Sequence, residues 1–143
     1  MLNILFTTEN SRIKQTYFPP QTLTALEKFG KVTYNENQDR PFTEAQLLHA
    51  ITDMDVCITH WGCPQFTDEV LKRANRLRFI AHAAGSVADL VTPRAYERGI
   101  KVSSANPVMA KYVAEGVLTY ILAGLKSLPQ QAYDMKYRKL WRG

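Results

Sequence analysis

Residues 77–102, with the sequence LRFIAHAAGSVADLVTPRAYERGIKV, decide the fold of this chain. The segment 78–82 is short and apolar, which is typical of a buried β-strand. A loop of small residues follows at 83–86, and the Thr-Pro pair at 92–93 then predicts the start of a helix. A second short strand is predicted at 100–102. This order of strand, helix and strand predicts a right-handed βαβ unit and therefore a parallel sheet.

The loop of small residues after the first of these strands is a candidate binding site. Ala84, Gly85 and Ser86 carry side chains too small to cover their own backbone N–H groups. Ligands of open α/β sheets bind at the carboxyl ends of the strands, and a run of bare N–H groups suits an anion such as a carboxylate. The same residues are also compatible with a tight turn that binds nothing.

Outward from this unit, strands and helices alternate along the chain. Apolar runs predict strands at 2–6, 32–34 and 55–59, in addition to the two already described. Short apolar strands that are separated by helices indicate the α/β class, with a parallel sheet that helices cover on both faces.

Several helix ends are marked by capping residues. Thr43 and Gln46 form a capping box, and Thr67 and Thr92 are predicted to cap the two helices that follow. A helix over 22–29 is expected to end at Gly30, in the left-handed conformation that glycine favours.

A second candidate site follows the third predicted strand. It is the segment Thr59-His60-Trp61-Gly62, which would lie beside the small-residue loop if the third and fourth strands are neighbours. Trp61 would then either form a wall for a substrate side chain or cover the edge of the core. His82 ends the fourth strand, and we interpret it as a structural histidine and not as an acid–base catalyst.

Cys57, His60 and Cys63 form the pattern C-x2-H-x2-C, whose residue types are those of zinc sites. However, Cys57 lies within an apolar strand, where buried free cysteines are common, and the sequence offers no fourth ligand nearby. We therefore expect no metal and two reduced thiols.

The composition limits the class of protein. The chain has 143 residues, of which 45% are hydrophobic and 22% charged, as in ordinary globular proteins. No uninterrupted apolar run approaches the ~20 residues of a membrane span, and the first residues lack a signal-peptide pattern.

The net charge of +5 could suggest a nucleic-acid-binding protein, but the sequence has no basic motif interleaved with aromatic residues, as such proteins have. We expect a cytoplasmic protein with neither a membrane nor a nucleic acid as its partner.

A long helix over 107–128 follows the last strand. Its apolar residues lie nearly all round the cylinder, so we expect protein to cover it on several sides, more than one small lobe supplies. Pro129 is expected to break this helix, and a further amphipathic helix is predicted at 130–141.

Three blocks over 77–122, LRFIAHAAGSVADLV, ERGIKVSSAN and VAEGVLTYIL, resemble in their order the NAD-dependent D-2-hydroxyacid dehydrogenase family. The resemblance implies a flavodoxin-like, five-stranded substrate lobe over 1–105. It also implies an interlobe helix and dimerisation arm over 106–143, which would form a homodimer. The substrate, a small 2-hydroxy or 2-keto acid, would contact Trp61, Gly62, Ala84, Gly85 and Ser86.

The family's cofactor lobe has no counterpart in this sequence. No G-x-G-x-x-G fingerprint is present, and none of the three histidines matches the catalytic histidine motif of the family. We therefore interpret the chain as a front part of such an enzyme, truncated before the Rossmann cofactor lobe. NAD(P) would serve the full-length parent, whereas this chain is expected to bind no cofactor, contain no catalytic residue and remain inactive. The alternative is a stand-alone flavodoxin-like binding or dimerisation module without catalysis.

Overall fold

The structure is a computed structural model that describes residues 1–141; the last two positions of the predicted arm lie outside the described residues. Its single described sheet has five parallel strands in the order β2-β1-β3-β4-β5. This order is typical of flavodoxin-like folds and confirms the predicted class. The strands are β1 (Leu2–Phe6), β2 (Gly30–Tyr34), β3 (Val56–Thr59), β4 (Phe79–His82) and β5 (Lys101–Ser104).

Helices connect the strands, and two of the predicted caps are present. The Thr43 side chain accepts a hydrogen bond from the Gln46 N–H at 3.3 Å, and the Gln46 side chain accepts one from the Thr43 N–H at 2.9 Å. Thr67 likewise accepts a bond from the Val70 N–H at 3.4 Å. The helices are α1 (Arg12–Tyr17), α2 (Pro20–Glu27), α3 (Glu44–Ala50), α4 (Asp68–Arg73), α5 (Pro93–Glu97), α6 (Asn106–Leu125) and α7 (Leu128–Tyr133), and a π-helical turn follows at Asp134–Arg138.

The predicted end of α2 was wrong, whereas α5 starts at Pro93 as predicted but lacks the predicted capping bond. Gly30 does not end α2 but begins β2, where a Cβ atom would collide with the backbone carbonyl of Leu2. Glycine is therefore required here by the close approach of β1 and not by a left-handed conformation. Thr92 makes no cap bond, because its hydroxyl donates instead to the Asp68 carboxylate at 3.3 Å.

The main hydrophobic core lies between the sheet and helices α3, α4 and α5. Leu5, Cys57 and Ile80 face it from three adjacent strands, and each is fully buried. On the opposite face, Phe6 packs edge-on against Phe18, which follows α1, with ring centroids 4.8 Å apart. The next strands on that face present residues that are only half-buried, among them Val56, Ile58, Phe79 and Ala81. Within the described residues, the two faces of the sheet are therefore covered to different extents.

The chain divides into two compact units, Met1–Asn106 and Pro107–Gly143. In the second unit none of the described residues is buried. Helix α6 ends at Leu125, earlier than predicted, because Ser127 is left-handed with φ of 50°. Pro129 does not break this helix but lies in the first turn of α7.

Helix α6 carries an apolar surface that is open to solvent. Its 20 residues are long and apolar enough to cross a membrane, since the mean hydropathy over an 18-residue window of the helix is 1.4. Lys111 and Glu115 interrupt it, which is why the sequence shows no uninterrupted apolar run of that length. Length and apolar composition alone do not identify a membrane span, since interface helices of water-soluble proteins share them.

Candidate functional site

The candidate site lies at the carboxyl edge of the sheet, where the loops after β1, β3 and β4 meet. These three strands are adjacent, and backbone hydrogen bonds extend the ladder into the loops. The Thr7 N–H donates to the Ile58 carbonyl at 3.0 Å, and the Ala83 N–H donates to the Thr59 carbonyl at 2.8 Å. The two candidate loops of the sequence analysis are therefore held side by side.

A small open pocket of about 160 Å³ lies between the loops after β3 and β4. Three of the five predicted site residues, Trp61, Gly62 and Ser86, line this pocket. The Trp61 residue is 49% exposed, so it forms a wall of the pocket and is no part of the core. Gly62 has φ of 81°, a left-handed conformation that glycine adopts without strain. The remaining lining residues are His60, Cys63, His82, Asp89 and Leu90.

The other two predicted site residues, Ala84 and Gly85, form the base of the small-residue loop. Ala84 is buried, and its carbonyl accepts a hydrogen bond from the Ala105 N–H at 2.9 Å, which anchors the loop to the residue after β5. Among residues 1–141, no protein acceptor pairs with the N–H groups of Gly85 and Ser86. The Ser86 hydroxyl oxygen accepts a bond from the Ala88 N–H at 3.2 Å. The loop is thus anchored while two consecutive N–H groups stay available to an anion.

His60 lies in the second candidate segment, but the sequence analysis gave it no role of its own other than that of a possible metal ligand. It is 1% exposed and lies among the rings of Tyr17, Phe18 and Trp61, with centroids 4.9, 5.7 and 4.6 Å away. Within the described chain neither ring nitrogen has a hydrogen-bond partner. Burial, and secondly the nearby His82, lower the pKa of His60. The site therefore contains a neutral imidazole whose hydrogen-bonding capacity is unused.

His82 has a partner, in contrast to His60. Its Nδ1 lies 2.8 Å from the Thr59 hydroxyl on the neighbouring strand, and the residue is 7% exposed. Burial lowers the pKa of His82 as well. This contact fixes the orientation of the ring at the end of β4, as expected of a histidine with a structural role.

Both cysteines are free thiols in environments that suppress the thiolate form. Burial raises the pKa of Cys57 well above its ordinary value and that of Cys63 to about 12. Metals bind the thiolate, so these are poor ligands. In the part of the chain that the structure describes, no three His, Cys, Asp or Glu residues are placed to hold a metal ion.

The residues after β1 do not fit the pyrophosphate of a dinucleotide. Such a group binds where a glycine-rich turn offers free N–H groups. Here Thr8 and Glu9 are buried, and the Glu9 carboxylate accepts a bond from the Ser11 hydroxyl at 3.2 Å. A buried carboxylate at this position would repel the phosphates. The loop after β1 therefore offers no dinucleotide site.

Comparison with known proteins identifies related sequences. A family model described as D-isomer specific 2-hydroxyacid dehydrogenase, catalytic domain, matches residues 12–133. The D-3-phosphoglycerate dehydrogenase of Methanocaldococcus jannaschii is 31% identical over 94 residues, which make up 66% of this chain and 18% of that protein.

Solved structures with the same fold cover nearly the whole chain. An acyclic imino acid reductase, in complex with NADPH and D-Arg, aligns with a TM-score of 0.72 and 18% identity, over 99% of this chain and 43% of that one. The NAD-dependent formate dehydrogenase from Staphylococcus aureus, in complex with NAD, aligns with a TM-score of 0.60 and 21% identity, again over 99% and 43%. The chain thus spans less than half the length of each of these relatives.

Proposed function

Because the chain belongs to the D-isomer specific 2-hydroxyacid dehydrogenase family, we propose that it supplies the substrate-binding lobe of a two-lobe oxidoreductase. The complete enzyme would interconvert small 2-oxo acids and 2-hydroxy acids. The observation that best supports this role is the pair of N–H groups at Gly85 and Ser86, which have no partner among residues 1–141, together with the pocket that Ser86 lines. A carboxylate accepts two such bonds in a fixed orientation, which is what positioning a 2-oxo acid requires.

In this proposal the chain binds and orients the substrate. The carboxylate lies on the Gly85 and Ser86 N–H groups, and the remainder of the acid enters the pocket against Trp61 and Gly62. The redox step needs a nicotinamide nucleotide, NAD or NADP, as found in both solved relatives. Since the loop after β1 does not fit one, we expect no turnover of NADH and 2-oxo acids by this chain alone.

We also propose a homodimer that forms through residues 106–143. Helix α6 exposes large apolar side chains in every direction, and a second copy would cover part of them. A cytoplasmic location agrees with two free thiols. A stand-alone dimerisation module would use the same helix, but it would leave the Gly85 and Ser86 N–H groups without a ligand.

A matched pair of variants tests the carboxylate site. Ser86→Pro removes the N–H group, whereas Ser86→Ala keeps it and removes only the hydroxyl. We expect pyruvate to shift the backbone amide NMR signals of Gly85 and Ser86 in the parent chain. Ser86→Ala should retain the shift at Gly85 and the affinity for pyruvate, and Ser86→Pro should weaken binding about tenfold, as expected for one lost hydrogen bond to a charged group. Acetamide, which is neutral, is the control ligand.

The proposal fails if pyruvate leaves these amide signals unchanged, or if Ser86→Pro binds it as well as Ser86→Ala does. Circular dichroism of both variants shows whether the loop substitution has unfolded the lobe. Steady-state oxidation of NADH by the purified chain with pyruvate would contradict the separate expectation that it is inactive alone.

A further inference from the structure

We propose that the amino edge of the sheet contains a second binding site, for an anion with a hydrocarbon body whose carboxylate or phosphate head group contacts Arg78 and Lys101. The site lies at the opposite edge of the sheet from the candidate substrate site and does not rest on the proposed function. We call it the amino-edge pocket. It is open to solvent, has a volume of about 450 Å³, and is lined by Leu2, Asp55, Val56, Arg78, Phe79, Gly99 and Lys101.

The floor of the amino-edge pocket is apolar. In the parallel register Val56 lies beside Phe79, and Phe79 lies beside Lys101, so these side chains project from the same face of the sheet. Val56 and Phe79 are only half-buried, as is Leu2. At Gly99 nothing lies within 4 Å of the position that a Cβ atom would take, so the rim stays open. A hydrocarbon that packs on this floor would remove apolar surface from water, which is favourable.

Two cations of the pocket lack a full counter-charge. Arg76 donates to both oxygens of the buried Asp55 carboxylate, at 3.1 and 3.3 Å, and the Asn3 N–H donates to it at 2.9 Å. Arg78 contacts the same carboxylate only as an ion pair at 3.6 Å. Among residues 1–141, Lys101 has no ion-pair partner. Because Arg76 already balances the charge of Asp55, the pocket presents two positive charges to an anion.

The residue types select the class of anion. None of the seven lining side chains carries a hydroxyl or an amide group. A nucleotide or a sugar phosphate would therefore bury polar groups without hydrogen-bond partners, which is unfavourable. A hydrocarbon chain with one anionic head group fits both parts of the pocket. Arg78 provides a planar donor for a carboxylate or a phosphate, and Lys101 provides a point charge beside it.

The ligands octanoate and octanamide, which share a hydrocarbon chain and differ in the charge of the head group, test this proposal on the intact chain. In an NMR titration we expect octanoate to shift the backbone amide signals of Val56, Phe79 and Lys101. It should bind about tenfold more tightly than octanamide, as expected for hydrogen bonds to a charged group. Butanoate should bind about tenfold more weakly than octanoate, because it lacks four methylene groups that the floor partly buries.

Two further ligands define the head group and the position of the site. Octyl phosphate should bind more tightly than octanoate if the natural head group is a phosphate, and more weakly if it is a carboxylate. Pyruvate should not displace octanoate, because strands of four residues separate the two edges of the sheet by about 13 Å. Displacement by pyruvate would show that there is one site and not two, and would overturn the proposal.

A matched pair of double variants locates the binding. Arg78→Gln with Lys101→Gln removes both cations of the pocket, whereas Lys28→Gln with Lys31→Gln removes two exposed lysines outside it. The net charge changes equally in the two variants. The first should weaken octanoate binding at least about tenfold, and the second by less than about twofold. Circular dichroism reports whether each variant is folded, and the comparison of octanoate with octanamide needs no variant.

Several results would overturn the proposal. One is equal affinity for octanoate and octanamide, and another is unchanged affinity in the variant without Arg78 and Lys101. A third is a set of shifts confined to α6, whose exposed apolar side chains would bind an amphiphile without selecting its charge. Signals of Val56 and Phe79 that shift with protein concentration alone would identify a second copy of the chain as the occupant of this face.

Discussion

Two buried histidines at the edge of the sheet couple the stability of this fold to pH. Burial lowers the pKa of His60 and of His82 below the ordinary value of 6.5, so the folded chain favours their neutral forms. The unfolded chain therefore binds more protons when the pH falls below that value. The stability from these two groups is complete above pH 6.5 and is lost as the pH falls through the lowered values.

The variant His60→Phe should make this dependence shallower. In urea unfolding between about pH 7.5 and pH 5, we expect the free energy of unfolding of the parent chain to decrease as the pH is lowered. The same measurement on His60→Phe should show a smaller fall, with His82 responsible for the remainder. Parallel curves for the two proteins would show that His60 is not held neutral by its burial.

At the level of secondary structure elements, the hydrogen bonds at helix starts allow a direct comparison. The Thr43 side chain accepts a bond from the Gln46 N–H, whereas Thr92 has no such bond and donates to Asp68 at the surface. Thr43→Ala should therefore lower the free energy of unfolding by about 1 kcal/mol. Thr92→Ala, the matched control, should change it by less than about 0.5 kcal/mol. Equal losses in chemical denaturation would mean that the capping bond at Thr43 contributes nothing.

Strands β1, β3 and β4 could be predicted because each is a short apolar run, whereas β2 and β5 contain fewer apolar residues and were predicted only in part, at 32–34 and 100–102. The order of the strands followed from the resemblance to a known family. Helix α1 was not predicted, since none of its six residues is buried and no apolar periodicity marks it. Gly30 was placed at a helix end because its actual constraint, the backbone of Leu2, is distant in sequence. Local patterns contain no information on such contacts between distant segments.

The same limit applies to the candidate site. Trp61, Gly62 and Ser86 could be placed on one pocket because adjacent parallel strands bring their following loops together. His60 is shielded from polar groups by three aromatic rings that come from different segments of the chain. The position of Asp89 in the pocket wall depends on the path of a loop. The sequence indicates neither the surroundings of His60 nor the place of Asp89 in the pocket wall; it shows only a histidine at the end of a strand. The role of these residues in substrate binding stays a prediction.

At the scale of the whole molecule, the surface of α6 determines how the chain behaves in solution. A helix that is apolar nearly all round is stable in water only when other protein, or a membrane, covers it. Val117 and Ile121 are 52% and 53% exposed, and their spacing places them on one face of the helix. A second copy of the chain would bury both, and this is the arrangement we expect in detergent-free buffer.

Val117→Glu combined with Ile121→Glu should therefore convert a dimer into a monomer in analytical ultracentrifugation. The control is Lys111→Glu, which lies on the same helix and alters the net charge by the same amount without removing an apolar side chain. We expect the control to remain dimeric, because charge alone does not drive the association of apolar faces. A parent chain that sediments as a monomer would contradict the proposed interface. A parent chain that stays in solution only with detergent would favour the membrane as the cover of α6, since its 20 residues are long enough to span one.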